Sequence, residues 1–194
     1  MKSKGETTRN RILAVAQELI NTKGFGATSI NDIVEATGIQ KGGIYFHFDG
    51  KDSLALAVLE EARSEFREFL TQALEGDTPR ARLKNFFRSA LDKHLATGFV
   101  GGCIFGNTAL EMSDRDARFA KTIERVFDEW LAMLKDVVVA AQKAGEVRTD
   151  FSANDLAVQI VATVEGGIML SRLKKNEEPM RHCLEILRRV LMPN

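Results

Sequence analysis

Cysteine is scarce in this chain: Cys103 and Cys183 are the two thiols among 194 residues. Two isolated cysteines make neither a disulfide framework nor the paired spacing of a zinc site, and three scattered histidines add no ligand cluster. Proline is nearly as rare, with three residues, so long stretches can run as uninterrupted helix. Neither sign of charge is in excess, because 27 basic and 27 acidic side chains cancel. Any nucleic-acid footprint must therefore be local. No run reaches the roughly 18 apolar residues of a membrane span, and the N-terminus lacks the apolar core of a secretory signal. A cytoplasmic protein with no membrane partner is expected. Gly-x-Ser-x-Gly, phosphate-loop and His-Glu-x-x-His patterns are missing as well. No enzyme, cofactor or metal site is expected on these grounds.

What is present is 44% apolar and 28% charged residues, the composition of a helix-rich globular chain long enough to bury sizeable cores. The stretch from Thr28 to Lys51, TSINDIVEATGIQKGGIYFHFDGK, organises the rest. Ser29 and Asp32 form a capping-box-like start, with a hydroxyl for a free backbone N–H and an acid on the positive helix end. Ile30, Ile33 and Val34 then give one apolar face, Gly38 stops the helix, and Ile39 and Gln40 lead into a second after a short turn. That is the layout of a helix-turn-helix.

The second helix makes little sense as ordinary structure. Gly42 and Gly43 stand in its first turn, each costing about 0.8 to 1 kcal/mol against alanine in a helix interior. Such a pair is explained if something must approach the backbone closely; in helix-turn-helix proteins this end of the second helix enters the major groove. Ile44 and Phe48 lie four apart and are expected in the core, while Tyr45 and His47 are expected outside it.

These residues resemble the DNA-binding signature of the tetracycline-repressor (TetR) family of bacterial transcriptional regulators. The match runs through Thr28, Ser29, Ile30, Ile33, Ala36, Gly38, Ile39, Lys41, Gly42, Ile44, Tyr45, His47, Phe48, Lys51, Asp52 and Leu54. It departs at Gln40, where a small hydroxyl residue is common, and at Asp49 and Gly50, where proline or serine often stand. The resemblance implies an all-α protein: a three-helix DNA-binding domain with a helix-turn-helix over residues 1–50, then a helical regulatory and dimerisation domain over 51–194. It also places Thr28 near the DNA backbone and Lys51 against phosphate. The expected DNA-contact set is Thr28, Ser29, Gln40, Lys41, Gly42, Gly43, Tyr45, His47 and Lys51. Gln40 and Lys41 are the candidates for base edges, since Gln pairs bidentately with adenine and Lys with guanine.

Before this motif, Lys2, Lys4, Arg9 and Arg11 make a basic start suited to phosphate or a minor groove, or simply to solvent. Helical periodicity then runs from Thr7 to Lys23, with Gly24 as a C-terminal cap and Phe25 plugging a three-helix core. Lys51 to Ala73 reads as one amphipathic helix, which the resemblance makes the connector to the regulatory part. Thr78 and Pro79 open another helix, to about Ala96. Residues 98–102, rich in glycine, look like the most flexible interior stretch. A further helix is expected to start at Ser113 and Asp114 and to end near Gly145, and Ser152 with Asp155 opens the next.

An inducer pocket needs apolar walls and a few orienting polar groups. The candidates are Phe87, His94, Cys103, Phe105, Asn107, Met112, Phe127, Trp130 and Met169, which serve equally well as plain core. Cys103, at the expected start of a short helix, has a dipole that favours thiolate, and similar regulators include sensors of electrophiles; a small buried hydrophobe is the other reading of it. The two C-terminal helices carry more apolar surface than one core needs, and the resemblance implies a homodimer through them. Taken together, a homodimeric repressor released from a palindromic DNA operator by a small-molecule or electrophile inducer of unknown identity is expected. A helical carrier or adaptor without DNA binding is the alternative, and it leaves the segment from Lys41 to Tyr45 unexplained.

Overall fold

The computed structural model describes residues 4–192 and is all-helical among them. The order is α1 (Lys4–Lys23), α2 (Ile30–Thr37), α3 (Lys41–His47), α4 (Lys51–Ala73), α5 (Pro79–Ala96), α6 (Ile104–Met112), α7 (Ala117–Lys143), α8 (Ala153–Lys174) and α9 (Glu178–Leu191). The chain forms two compact units. One contains residues up to Glu65 together with Cys103–Glu124, and the other Phe66–Gly102 together with the chain from Arg125 onward.

In the first unit, α1, α2 and α3 close on Ile12, Leu13, Ile33, Ile44, Phe48 and Leu54, all buried. The expected partition of α3 holds for Ile44 and Phe48, which are inside, and for Tyr45, which is outside, whereas His47, expected outside, is half-buried. Helix α1 begins at Lys4, earlier than its periodicity indicates, so the basic Lys4, Arg9 and Arg11 are exposed side chains on a helix. Lys2 lies outside the described residues.

Helix boundaries follow local chemistry. The Ser29 hydroxyl accepts the Asp32 N–H at 3.1 Å while the Asp32 carboxylate accepts the Ser29 N–H at 2.7 Å, completing the capping box. Gly38 takes the left-handed φ of +67° that closes α2, a conformation open to glycine at no steric cost. Thr78 caps α5 through the Ala81 N–H, with Pro79 in the first turn. One boundary differs from expectation: α7 starts at Ala117, not at Ser113. Asp116 is the cause, since its carboxylate accepts the Arg118 N–H at 2.8 Å and its guanidinium at 2.6 Å.

The second unit is built on Leu70, Leu83, Phe86, Trp130, Leu134 and Ile160. Within the stretch over 98–102, Phe99 is buried and its ring stacks on His94 at 6.4 Å, while Val100 is exposed. Helices α8 and α9 pack closely. A Cβ at Gly167 would stand 3.2 Å from the Met180 backbone, and the Met180 N–H donates to the buried Ser171 hydroxyl at 2.9 Å. Gly166, by contrast, faces open space. By length and composition α8 is apolar enough to cross a membrane, although Asp155, Gln159 and Glu165 interrupt its apolar run and Leu156, Ile160, Val164 and Ile168 are buried in the fold. Its outer residues Val158, Met169, Leu170 and Leu173 stay exposed, as do Ile186 and Val190 on α9.

Candidate nucleic-acid interface

Helix α3 is presented by the turn before it. The Thr37 hydroxyl donates to the Ile33 carbonyl at 2.6 Å and accepts the Ile39 N–H at 3.2 Å, so the turn is held from within. Gln40 then caps α3 with its backbone alone: its carbonyl accepts from Gly43 at 2.8 Å, and its side chain makes no capping bond. The Gln40 amide is exposed, together with Lys41 and Gly42. No acidic residue stands in the first turn of α3, so the positive helix end is uncompensated there.

The two glycines have different reasons. A Cβ at Gly43 would come within 2.9 Å of the Ile39 methyl, so packing inside the motif already excludes a larger residue. Around Gly42 nothing lies within 4 Å, so packing within the protein gives no reason for glycine there. Tyr45 is 47% exposed and His47 half-buried. Phe46, absent from the expected set, is 84% exposed and meets the His47 ring edge-on at 5.1 Å. Its position off the face shared by Ile44 and Phe48 was the one sequence signal for this.

Other expected contacts sit differently. Thr28 is 1% exposed, and its hydroxyl donates to the Gly24 carbonyl at 2.7 Å, so its side chain braces the turn before α2 and offers no surface to DNA. Lys51 donates to the Gly26 carbonyl at 3.2 Å and lies over the Phe25 ring at 4.3 Å. Its ammonium borders a groove of about 570 Å³ lined by Asp49, Asp52, Ser53, Leu56 and Arg118. Asp52 is paired there with Arg118 at 3.3 Å. Ser29 is exposed but committed to Asp32. The Asp32 carboxyl is held well below the usual carboxylate range by hydrogen bonds from Ser29 and by Lys23 at 3.0 Å.

The expected inducer set divides between the units: Cys103, Phe105, Asn107 and Met112 belong to the first, and Phe87, His94, Phe127, Trp130 and Met169 to the second. Met169 is 59% exposed on α8. Cys103 caps α6, its sulfur accepting the Gly106 N–H at 3.4 Å. In the second unit Trp130 gathers Phe66 at 5.2 Å, Phe86 at 6.2 Å and Phe127 at 5.9 Å. Its indole N–H is buried with no hydrogen-bond acceptor among the described residues. Burial, and next the charge of Lys93, lower the His94 pKa to about 4, so its imidazole is neutral near pH 7. A separate groove of about 250 Å³ lies between α5 and α9, lined by Phe87, Leu91, Leu184, the cations Lys84, Arg88, Arg181 and Arg188, and Glu185, which pairs with Arg188. Of the expected set it contains Phe87 alone.

A capped α2, a three-residue turn and an α3 that exposes Lys41 and Gly42 beside the rings of Tyr45 and Phe46 define a helix-turn-helix DNA-binding protein. Residues 12–58 match the model of bacterial regulatory proteins of the tetR family, and residues 79–187 match the tetracyclin repressor-like C-terminal domain. The chain is 25% identical over 188 residues to the transcriptional repressor DhaR of Mycobacterium sp. (strain GP1), covering 96% of this chain and 93% of that one. A TetR transcriptional regulator from Chloroflexus aurantiacus superposes with a TM-score of 0.86 at 34% identity, covering 95% and 94% of the two chains. The regulatory protein TetR from Rhodobacter sphaeroides does so with 0.89 at 27%, covering 94% and 98%. The protein belongs to the TetR family: it is a DNA-binding transcriptional regulator and not an enzyme.

Proposed function

We propose that this regulator is a cytoplasmic homodimeric repressor that leaves a palindromic operator when a small-molecule or electrophile inducer binds. The observation that carries the reading is the outer face of α3, where Gln40, Lys41 and Gly42 are exposed and Gly42 has no packing reason to be glycine. Gln40 and Lys41 read base edges, while Ser29, Tyr45, His47 and Lys51 fix the backbone. Gly42 lets the duplex approach, while Gly43 is held to glycine by Ile39. DNA reading is assigned to residues 1–50, and inducer binding and dimerisation to 51–194.

The exposed apolar residues of α8 and α9, Val158, Met169, Leu170, Leu173, Ile186 and Val190, support a subunit contact, since a lone protomer rarely leaves such a surface to water. Two heads related by a two-fold axis then meet successive major grooves about 34 to 36 Å apart. The unpaired Trp130 N–H inside its aromatic cluster supports an inducer that brings an acceptor oxygen or nitrogen with an apolar body. If the inducer is an electrophile, Cys103→Ser abolishes the response, and an unchanged response excludes that thiol as the sensor.

Sedimentation of the protein with a duplex selected from a random pool tests the reading. Two protomers per palindrome are expected, as is loss of tight binding when five base pairs separate the half-sites. Leu173→Glu, on the α8 face, is expected to yield a monomer that binds the palindrome weakly. A tight one-to-one complex indifferent to half-site spacing refutes the dimer.

A further inference from the structure

The turn between α1 and α2 is held by groups that arrive from much later in the chain. The Glu111 carboxylate, near the end of α6, accepts the Phe25 N–H through Oε2 at 2.9 Å and the Gly26 N–H through Oε1 at 2.5 Å. From α4, Lys51 takes the Gly26 carbonyl at 3.2 Å. Within the turn, Thr28 takes the other two carbonyls: its hydroxyl donates to Gly24 and its N–H to Phe25 at 3.3 Å. The Phe25 ring lies 5.1 Å from that of Phe119 on α7. The backbone groups of Phe25 and Gly26 are thus all occupied, and two of the four bonds end on one carboxylate.

The sequence makes room for that carboxylate. A Cβ at Gly26 would stand 2.7 Å from Glu111 Oε1, and one at Gly24 would stand 3.3 Å from Oε2. Residue 26 lies three positions before the Ser29 cap of α2, so displacing the turn displaces the start of α2, and α3 follows across its short turn. A carboxylate accepting two backbone donors is a strong, directional tie. Deleting it leaves the Phe25 N–H, part-buried, without its acceptor.

We propose that Glu111 is a positioning residue for DNA recognition: from α6 it fixes the α1–α2 turn and thereby the presentation of α3, so a shift of α6 is felt at the DNA face. This rests on the reading of α3 as the DNA-contacting helix. It gives α6 a direct tie to the head through a side chain that touches no DNA.

The test compares hydrogen exchange and DNA affinity in the full-length wild type, Glu111→Gln, Glu111→Ala, Gly26→Ala and the double variant Glu111→Ala/Gly26→Ala. In Glu111→Ala the Phe25 and Gly26 amides should exchange at least about tenfold faster, and affinity for the selected duplex should fall by about tenfold or more, as expected for losing hydrogen bonds to a charged acceptor. Measurement well below the melting range keeps the folded fraction unchanged. Glu111→Gln should fall between, because one acceptor oxygen remains. Gly26→Ala should reproduce Glu111→Ala by forcing the carboxylate away, and the double variant should lose little more than either single one, as two routes to one broken contact require. Unchanged exchange at residues 25–26 overturns the proposal, as does faster exchange with affinity within twofold of wild type, or fully additive losses in the double variant. If the wild type selects no DNA, the DNA-reading assignment fails on its own. The positioning role is then decided by whether the α2 and α3 amides also speed up in Glu111→Ala.

Discussion

Residues 24–51 and the aromatic cluster around Trp130 are built by opposite rules. In the first, nearly every position has its own reason: Ser29 and Asp32 cap each other, Gly38 needs its left-handed φ, Gly43 has no space for a methyl, and Thr28 and Thr37 spend their hydroxyls on specific carbonyls. In the second, Phe66, Phe86, Phe127 and Trp130 fill volume, and another set of large apolar side chains could fill it too. A motif in which each residue is individually constrained reveals its task. A core that asks only for size and apolarity reveals that a fold exists and little of what it binds.

The contrast can be pressed from both sides. The largest effect belongs to the cluster: Phe86→Ala, at a fully buried ring, should cost about 3 to 5 kcal/mol in urea unfolding, and a loss near 1 kcal/mol would mean that the cluster is looser than its burial implies. Next comes His94. Its folded pKa, about 4, lies below the ordinary 6.5, so between these values the unfolded chain binds more protons and stability falls as pH drops. The loss approaches about 3 kcal/mol by pH 4. His94→Phe should remove that slope and leave the loss from Glu185, held down to about 2 by Arg188 and Arg189, at lower pH. An unaltered slope between pH 6.5 and 4 would assign it elsewhere. Smallest in stability is Ser29→Ala, expected to cost about 1 kcal/mol through the lost cap. Near-neutrality in thermal unfolding would show that the Asp32 carboxylate suffices alone.

The same contrast explains what the sequence disclosed. The capping box, the Gly38 stop and the inward Ile44 and Phe48 were legible because each depends on neighbours within four residues. Thr28 was misplaced because the resemblance puts it at the entrance to α2 and is silent on its hydroxyl turning back to the Gly24 carbonyl. The start of α7 was misread because Asp116 competes with Ser113 and Asp114 as a cap, and only the fold shows which wins. Glu111 left no signal, since its partners are backbone N–H groups some 85 residues earlier. The inducer candidates were chosen by residue type alone, and type does not separate exposed Met169 from buried Trp130.

The most direct test of DNA reading by α3 is to measure Gln40→Ala and Lys51→Ala against the selected duplex and its single-base variants at several salt concentrations. Gln40→Ala should lose about 1 to 3 kcal/mol of discrimination at one base pair per half-site and keep its salt slope. Lys51→Ala should weaken every sequence alike and lower the slope by about one per half-site. If Gln40→Ala instead weakens all sequences equally, or changes none, α3 does not read bases through that side chain.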